Sequence, residues 1–187
     1  QQAKLLEAWA AQPDPARIEL INALQQGELT VDGQAKTLRL NNRLRGLIDT
    51  ALASHQLLAT DAKTRLAAAQ QLQKSAKPAQ LKFLDQQLAG EKDESVHAAL
   101  SLALANLQLV DTDPAVRLAA VRLLGETGDP LARTRLESLL QPGVEADAGV
   151  RTAAETSLAQ IKRKVLTGEI LGQAFSGMSL GSILLLA

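Results

Sequence analysis

The sequence predicts an all-α fold of stacked helices with one small β-hairpin. Aromatic residues make up only 2% of the 187 residues, so Leu and Ala must build the core, which favours packed helices over a β-sandwich. A helix-start motif recurs along the chain, and the connections between helical segments are short and rich in Asp, Pro and Gly. The length is sufficient for one ordinary domain with a sizeable core.

Helical segments account for nearly all of the predicted elements. Apolar residues recur at the spacing of a buried helix face, most clearly over 41–58, where Asn41 begins the helix. The exception is 28–40, where apolar and polar residues alternate around the hairpin turn signal Asp32-Gly33. Helices are predicted at 1–12, 15–26, 41–58, 62–75, 78–90, 94–109, 114–125, 130–141 and 148–167.

The best copy of the helix-start motif lies at 113–125. Asp113 is expected to cap the helix, Pro114 occupies the first helical position, and Gly125 is expected to end the helix in a left-handed conformation. The same spacing occurs four times, once with His in place of Arg. The four pairs are Asp61 and Arg65, Asp93 and His97, Asp113 and Arg117, and Asp147 and Arg151. We expect all eight residues to be structural caps, with His97 acting as the partner of Asp93.

Two apolar columns accompany the motif. One column is Ala67, Ala99, Ala119 and Ala153, and the other is Leu72, Leu104, Leu124 and Leu158. Small Ala would let neighbouring helices approach closely while Leu fills the groove between them. The columns resemble HEAT-like repeats, in particular the short kind first noticed in phycobilisome lyases. That resemblance implies an α-solenoid, which would occupy residues 1–167.

The last part of the chain has a different composition. No charged residue occurs in 170–187, and a helix of 18 residues spans about 27 Å, close to the thickness of the hydrocarbon core. Gly177 and Gly181 have the spacing that lets two helices pack closely in lipid. We therefore expect 168–187 to be the truncated start of a first transmembrane helix. The alternative is a C-terminal helix buried in a soluble domain.

The sequence contains no convincing active site. His55 lies near Ser54 and Asp49, but neighbouring residues on a helix point about 100° apart, so they cannot form a catalytic triad. Cysteine is absent, and no cofactor or metal motif occurs. Lys plus Arg and Asp plus Glu are equal at 20 each, which argues against a nucleic-acid surface. We expect no enzymatic activity, no cofactor, no metal and no nucleic-acid partner.

Two stretches, 39–45 and 172–187, are similar to the permeases of branched-chain amino-acid-type ABC importers, specifically the amino-terminal extramembranous region and first span of their urea-transporting members. The resemblance implies urea uptake and partners in the importer: the remaining permease spans, the second permease subunit, ATPase subunits and a solute-binding protein. It implies attachment to the bacterial inner membrane through 170–187. The alternative function is a soluble HEAT-like scaffold or a lyase-type chaperone.

The sidedness of the domain depends on two opposing indications. Lys162, Arg163 and Lys164 precede the expected span, and the positive-inside rule would place them in the cytoplasm. The family resemblance implies a periplasmic domain exported behind a cleaved signal peptide, and a chain that starts at Gln1 is compatible with such processing. Because the rule is weak for long domains, we expect the periplasmic side.

Overall fold

The computed structural model describes residues 2–31, 34–37, 40–127, 129–164 and 166. These residues are predominantly helical, which confirms the predicted helical class. The chain divides into two compact units, Gln1–Leu107 and Gln108–Ala187. The predicted boundary at 167/168 lies outside the described residues, and the division at 107/108 is a feature that the sequence did not predict.

The first unit contains six α-helices and two short strands in its described part. Gly27, with φ of 77°, follows α2 and turns the chain into the strands. Only glycine adopts this left-handed conformation without strain. The helices are α1 (Gln2–Ala11), α2 (Ile18–Gln25), α3 (Asn42–Gln56), α4 (Ala62–Ser75), α5 (Leu81–Gly90) and α6 (Glu94–Gln108), with 3-10 turns at Pro15–Arg17 and Pro78–Gln80.

The strands β1 (Glu28–Val31) and β2 (Gln34–Thr37) pair antiparallel within the predicted 28–40 segment. Glu28 lies opposite Thr37, and Val31 lies opposite Gln34. The predicted turn residues, Asp32 and Gly33, lie outside the described residues.

Two apolar clusters form the core of the first unit. One is built from α1, α2 and α3, where the predicted stripe on α3 supplies Ile48, Ala51 and Leu52. The other is built from the end of α3 and from α4, α5 and α6, with Leu72 and Leu100 fully buried at its centre. Since α3 contributes to both clusters, it holds the two halves of this unit together.

The second unit contains α7 (Pro114–Gly125), α8 (Pro130–Leu139) and α9, which is helical over 148–164. Asp113 caps α7 and is followed by Pro at the first helical position, as the sequence predicts. Asp129 and Pro130 start α8 in the same way. The core side chains of this unit include Leu109, Val121, Leu124, Leu136, Val150, Ala154 and Ile161.

None of the helices in the described ranges is both long enough and apolar enough to cross a membrane. The predicted membrane helix at 168–187, including Gly177 and Gly181, lies outside those ranges.

Candidate functional site

All four aspartates of the repeated motif cap a helix. Asp61 accepts the backbone N–H of Thr64 at 2.8 Å, and Asp113 accepts that of Ala115 at 2.9 Å. Asp93 and Asp147 do the same at the start of α6 and α9, through the N–H groups of Val96 and Val150 at 3.0 and 2.9 Å. Each carboxylate therefore satisfies an N–H group that the helix itself leaves without a partner.

Two arginines of the motif, Arg65 and Arg117, pair with glutamates that lie outside the motif. The guanidinium of Arg65 forms two parallel hydrogen bonds to the Glu91 carboxylate, from Nε at 2.8 Å and from Nη2 at 2.9 Å. Its Nη1 donates to the carbonyl oxygens of Ala59 and Thr60 at 3.0 and 2.8 Å. One side chain at the start of α4 thus joins the loop before α4 to the loop after α5.

Arg117 repeats this arrangement in the second unit. Its Nε and Nη2 each donate to the Glu145 carboxylate at 2.7 Å, and its Nη1 donates to the carbonyl oxygens of Asp111 and Thr112 at 2.8 and 3.2 Å. The side chain of Glu145 is only 2% exposed. We call these two arrangements the Arg65–Glu91 clamp and the Arg117–Glu145 clamp.

The clamps share a sequence pattern as well as a geometry. The Glu follows its Arg by 26 residues in the first unit and by 28 in the second. In both, the Glu stands two residues before the next capping Asp and accepts that residue's backbone N–H, at 2.9 Å for Asp93 and 2.8 Å for Asp147. Each glutamate therefore fixes the arginine and the next helix start together.

The electrostatics of both clamps favour the charged forms. The side-chain hydrogen bonds from Arg65 lower the pKa of Glu91 to about 2, against the opposing effect of burial. Arg117 likewise lowers the pKa of Glu145, and the two glutamates raise the pKa of their arginines. Bidentate pairs of this kind are among the stronger polar contacts in proteins.

The glutamates are the functional residues of the clamps that the sequence pattern missed. The motif contains neither Glu91 nor Glu145. A usable signal exists, because Glu-x-Asp precedes both α6 and α9.

The other two members of the motif do not form clamps. The side chain of His97 is exposed and, within the described residues, makes no bond to Asp93, so its expected pairing is wrong. Only the backbone joins them, through the His97 N–H and the Asp93 carbonyl oxygen at 2.8 Å. In the described part of the chain, Arg151 forms no ion pair.

The predicted Leu column is confirmed, whereas the Ala column is wrong by one residue in three of its four copies. Leu72, Leu104, Leu124 and Leu158 are all buried. In contrast, Ala67 and Ala119 are exposed and Ala153 is half-buried, while Ala99 is buried as predicted. In the other three helices the buried alanine is the next residue along, Ala68, Ala120 or Ala154. These residues lie four positions before the Leu column, which places both columns on one helix face.

Gly125 does not end α7 in a left-handed conformation, because it is still helical and its φ is not positive. Its role is to allow α9 to approach. A Cβ at this position would lie 2.5 Å from Cβ and 3.0 Å from Cα of Ser157. With glycine there, the Ser157 hydroxyl reaches the Val121 carbonyl oxygen at 3.2 Å.

Ser54, His55 and Asp49 belong to three separate networks. Ser54 accepts a hydrogen bond from Gln80, and Asp49 accepts one from Gln25, at 2.7 and 2.9 Å. His55 is buried with Nδ1 2.7 Å from the Ala51 carbonyl oxygen, and burial lowers its pKa. No nucleophile and base are brought together by this trio.

The concave regions of both units are open. A groove of about 770 Å³ runs between α7 and α9 and is lined by side chains such as Leu118, Arg122, Thr152 and Thr156. A smaller hollow of about 350 Å³ lies beside the Arg65–Glu91 clamp. Within the described residues, no group of three or more His, Cys, Asp and Glu side chains has the arrangement of a metal site.

Comparison with known proteins identifies no relative: no protein-family model matches the chain, and no curated protein matches it.

Proposed function

We propose that this chain is the extramembranous helical-repeat domain of an ABC importer permease for urea, and that it acts in docking or assembly rather than in chemistry. The observation that carries the docking role is the pair of clamps. Each clamp fixes two loops at the end of a helical hairpin, and such preorganised loops lose little conformational entropy when a partner binds. The urea permease assignment is supported by the resemblance of 39–45 and 172–187 alone.

The repeated geometry also supports a HEAT-like solenoid as the finer description of the fold. In the first unit, α4 and α5 followed by the start of α6 carry one clamp, and in the second unit α7 and α8 followed by the start of α9 carry the other. A helical hairpin closed on the next helix start is the unit from which such stacks are built. We propose that the domain lies on the periplasmic side of the inner membrane, where it would meet the solute-binding protein.

The proposed function can be tested by urea uptake. We expect the reading frame to continue beyond Ala187 into further apolar spans. Cells that carry the full permease should accumulate labelled urea, and deletion of residues 1–167 should abolish uptake while the amount of permease in the membrane stays the same. Uptake that survives the deletion, or a reading frame without further spans, would favour the soluble scaffold or chaperone instead.

Membrane side can be tested separately because the chain has no cysteine. Gln141→Cys places a thiol on an exposed turn and avoids Gly143 two residues later, whose φ of 80° disfavours other residues. A thiol reagent that does not cross the inner membrane should label this variant in intact cells. Labelling that requires disruption of the inner membrane would place the domain in the cytoplasm.

A further inference from the structure

The loops held by the Arg117–Glu145 clamp present apolar side chains to solvent. Val110 is 74% exposed and Val144 is 59% exposed, although Leu109 and Glu145, directly beside them, are buried. Each valine lies three residues before a capping aspartate, Asp113 or Asp147. We call Val110, Val144 and the aspartates around them the valine edge.

The position of these valines is not random. Six large apolar side chains are exposed in the described part of the chain, and three of them occupy this one position relative to a capping aspartate. The third is Leu58, three residues before Asp61 in the first unit. Isolated exposed apolar residues need no explanation, but recurrence at one structural position indicates a shared role.

The valine edge is rigid as well as exposed. One guanidinium, that of Arg117, binds the carbonyl oxygens of Asp111 and Thr112 in the first loop and the Glu145 carboxylate in the second. Asp111 further accepts the N–H of Asp113 at 2.9 Å. Arg117 therefore links the two loops that carry the valines, so both loops are held in place before a partner binds.

The charge around the valines is negative. Asp111, Asp113 and Asp147 lie in the same two loops, while the charge of Arg117 is matched by Glu145. In the stretches 108–117 and 140–151, Arg151 is the one cation besides Arg117, so carboxylates are in excess there. A surface of this kind repels anionic lipid headgroups and a second copy of itself, and it attracts a cationic partner.

We propose that the valine edge docks a protein segment that combines basic and apolar side chains. The apolar side chains cover Val110 and Val144, and Lys or Arg side chains pair with the aspartates. This inference rests on the proposed docking role, because it names the chemistry of the partner. The tests remain separable, since peptide binding is measured on the purified chain and urea uptake is measured in cells.

The experiment uses labelled peptides as probes. Two peptides share the same Leu and Val residues, but one carries Lys and Arg between them and the other carries Glu. Fluorescence anisotropy should show binding of the basic peptide to the 187-residue chain, weakened by added salt, and no binding of the acidic peptide. Absence of binding by the basic peptide, or equal binding of both, would overturn the proposal.

Two sets of variants locate the binding. Val110→Ser with Val144→Ser should weaken binding of the basic peptide by about tenfold, whereas Leu5→Ser, at a side chain that is 51% exposed in the first unit, should not. Asp111→Asn, Asp113→Asn and Asp147→Asn together should weaken it similarly, and because Asn also caps helices the melting temperature should change little.

Equal affinity in the valine variant and in Leu5→Ser would remove the valine edge as the docking site. A self-association that the valine substitutions abolish would identify a second copy as the occupant, and binding to vesicles of anionic phospholipid would identify a lipid surface. Either result contradicts the proposal.

Discussion

At the scale of single residues, Gly125 shows how the same residue type serves two different needs. A glycine near the end of a predicted helix suggests a left-handed terminus, and Gly27 and Gly143 do have positive φ values of 77° and 80°. Gly125 instead lies within α7, where the missing Cβ leaves room for Ser157 of α9. The sequence reveals the glycine but not the residue that approaches it, because that contact joins distant parts of the chain.

We expect Gly125→Ala to destabilise the second unit. The added Cβ would overlap Ser157, and overpacking of this kind costs about 1–3 kcal/mol. A urea denaturation curve measures the loss, and adding Ser157→Gly should restore part of it by removing the opposing atoms. The matched control is Gly46→Ala in α3, where nothing lies within 4 Å of the added atom and helix propensity should instead favour alanine. If Gly125→Ala leaves the free energy of unfolding unchanged, α9 can move away from α7 without cost.

At the scale of helices, local sequence rules predict the helix bounds and caps but not the contacts between distant segments. The bounds of α4 and α7 and the four Asp caps follow from residues within a few positions of each other. The partners of Arg65 and Arg117 could not be read in this way, since each Glu lies beyond the following helix.

The Ala column failed for a different reason. Two alanines stand side by side in all four copies, as in Ala67-Ala68 and Ala98-Ala99, so alignment alone does not select one. The Leu column does select it, because a spacing of four residues keeps two positions on the same helix face and a spacing of five does not. Applying that rule would have identified Ala68, Ala120 and Ala154 without the structure.

The clamps should make stability sensitive to acid. The pKa of Glu91 is lowered from 4.5 to about 2, and that of Glu145 is also lowered, so both stabilise the folded chain above pH 4.5. As the pH falls from 4.5 towards 2, the unfolded state binds protons that the folded state does not, and this contribution is lost. Glu145→Gln should reduce stability by about 2 kcal/mol at neutral pH, since one partner of a charge-assisted pair is removed.

Denaturation curves at neutral pH and at steps down to pH 2.5 would measure this effect. The difference between the parent and Glu145→Gln should shrink as the pH falls. The control is Glu137→Gln, which removes an exposed pair with Arg133 of similar length, 2.8 Å against 2.7 Å for Arg117 and Glu145, and should cost less than about 0.5 kcal/mol. If Glu145→Gln behaves like this control at every pH, the clamp does not stabilise the fold.

At the scale of the whole molecule, the division into two compact units indicates which part of the chain can fold alone. The first unit contains two complete apolar clusters, and α3 contributes to both of them. A segment that buries its own core side chains meets the main condition for independent stability. This division could not be predicted from the sequence, since the motif copies run on without a linker from one unit into the next.

We therefore expect a fragment of residues 1–107 to fold cooperatively without the rest of the chain. Trp9 is the only tryptophan, and it packs against the α1–α2–α3 cluster with the Arg17 guanidinium 5.8 Å from its ring, so its fluorescence reports on this unit. Thermal unfolding followed by Trp9 emission and by helical circular dichroism should give one coincident transition. Leu100→Ala, at a buried position in the other cluster, should lower the stability of the fragment by about 2–5 kcal/mol. Because Trp9 and Leu100 belong to different clusters, a Trp9 transition that Leu100→Ala leaves unchanged would show that the two clusters unfold separately and that residues 1–107 are not one cooperative unit.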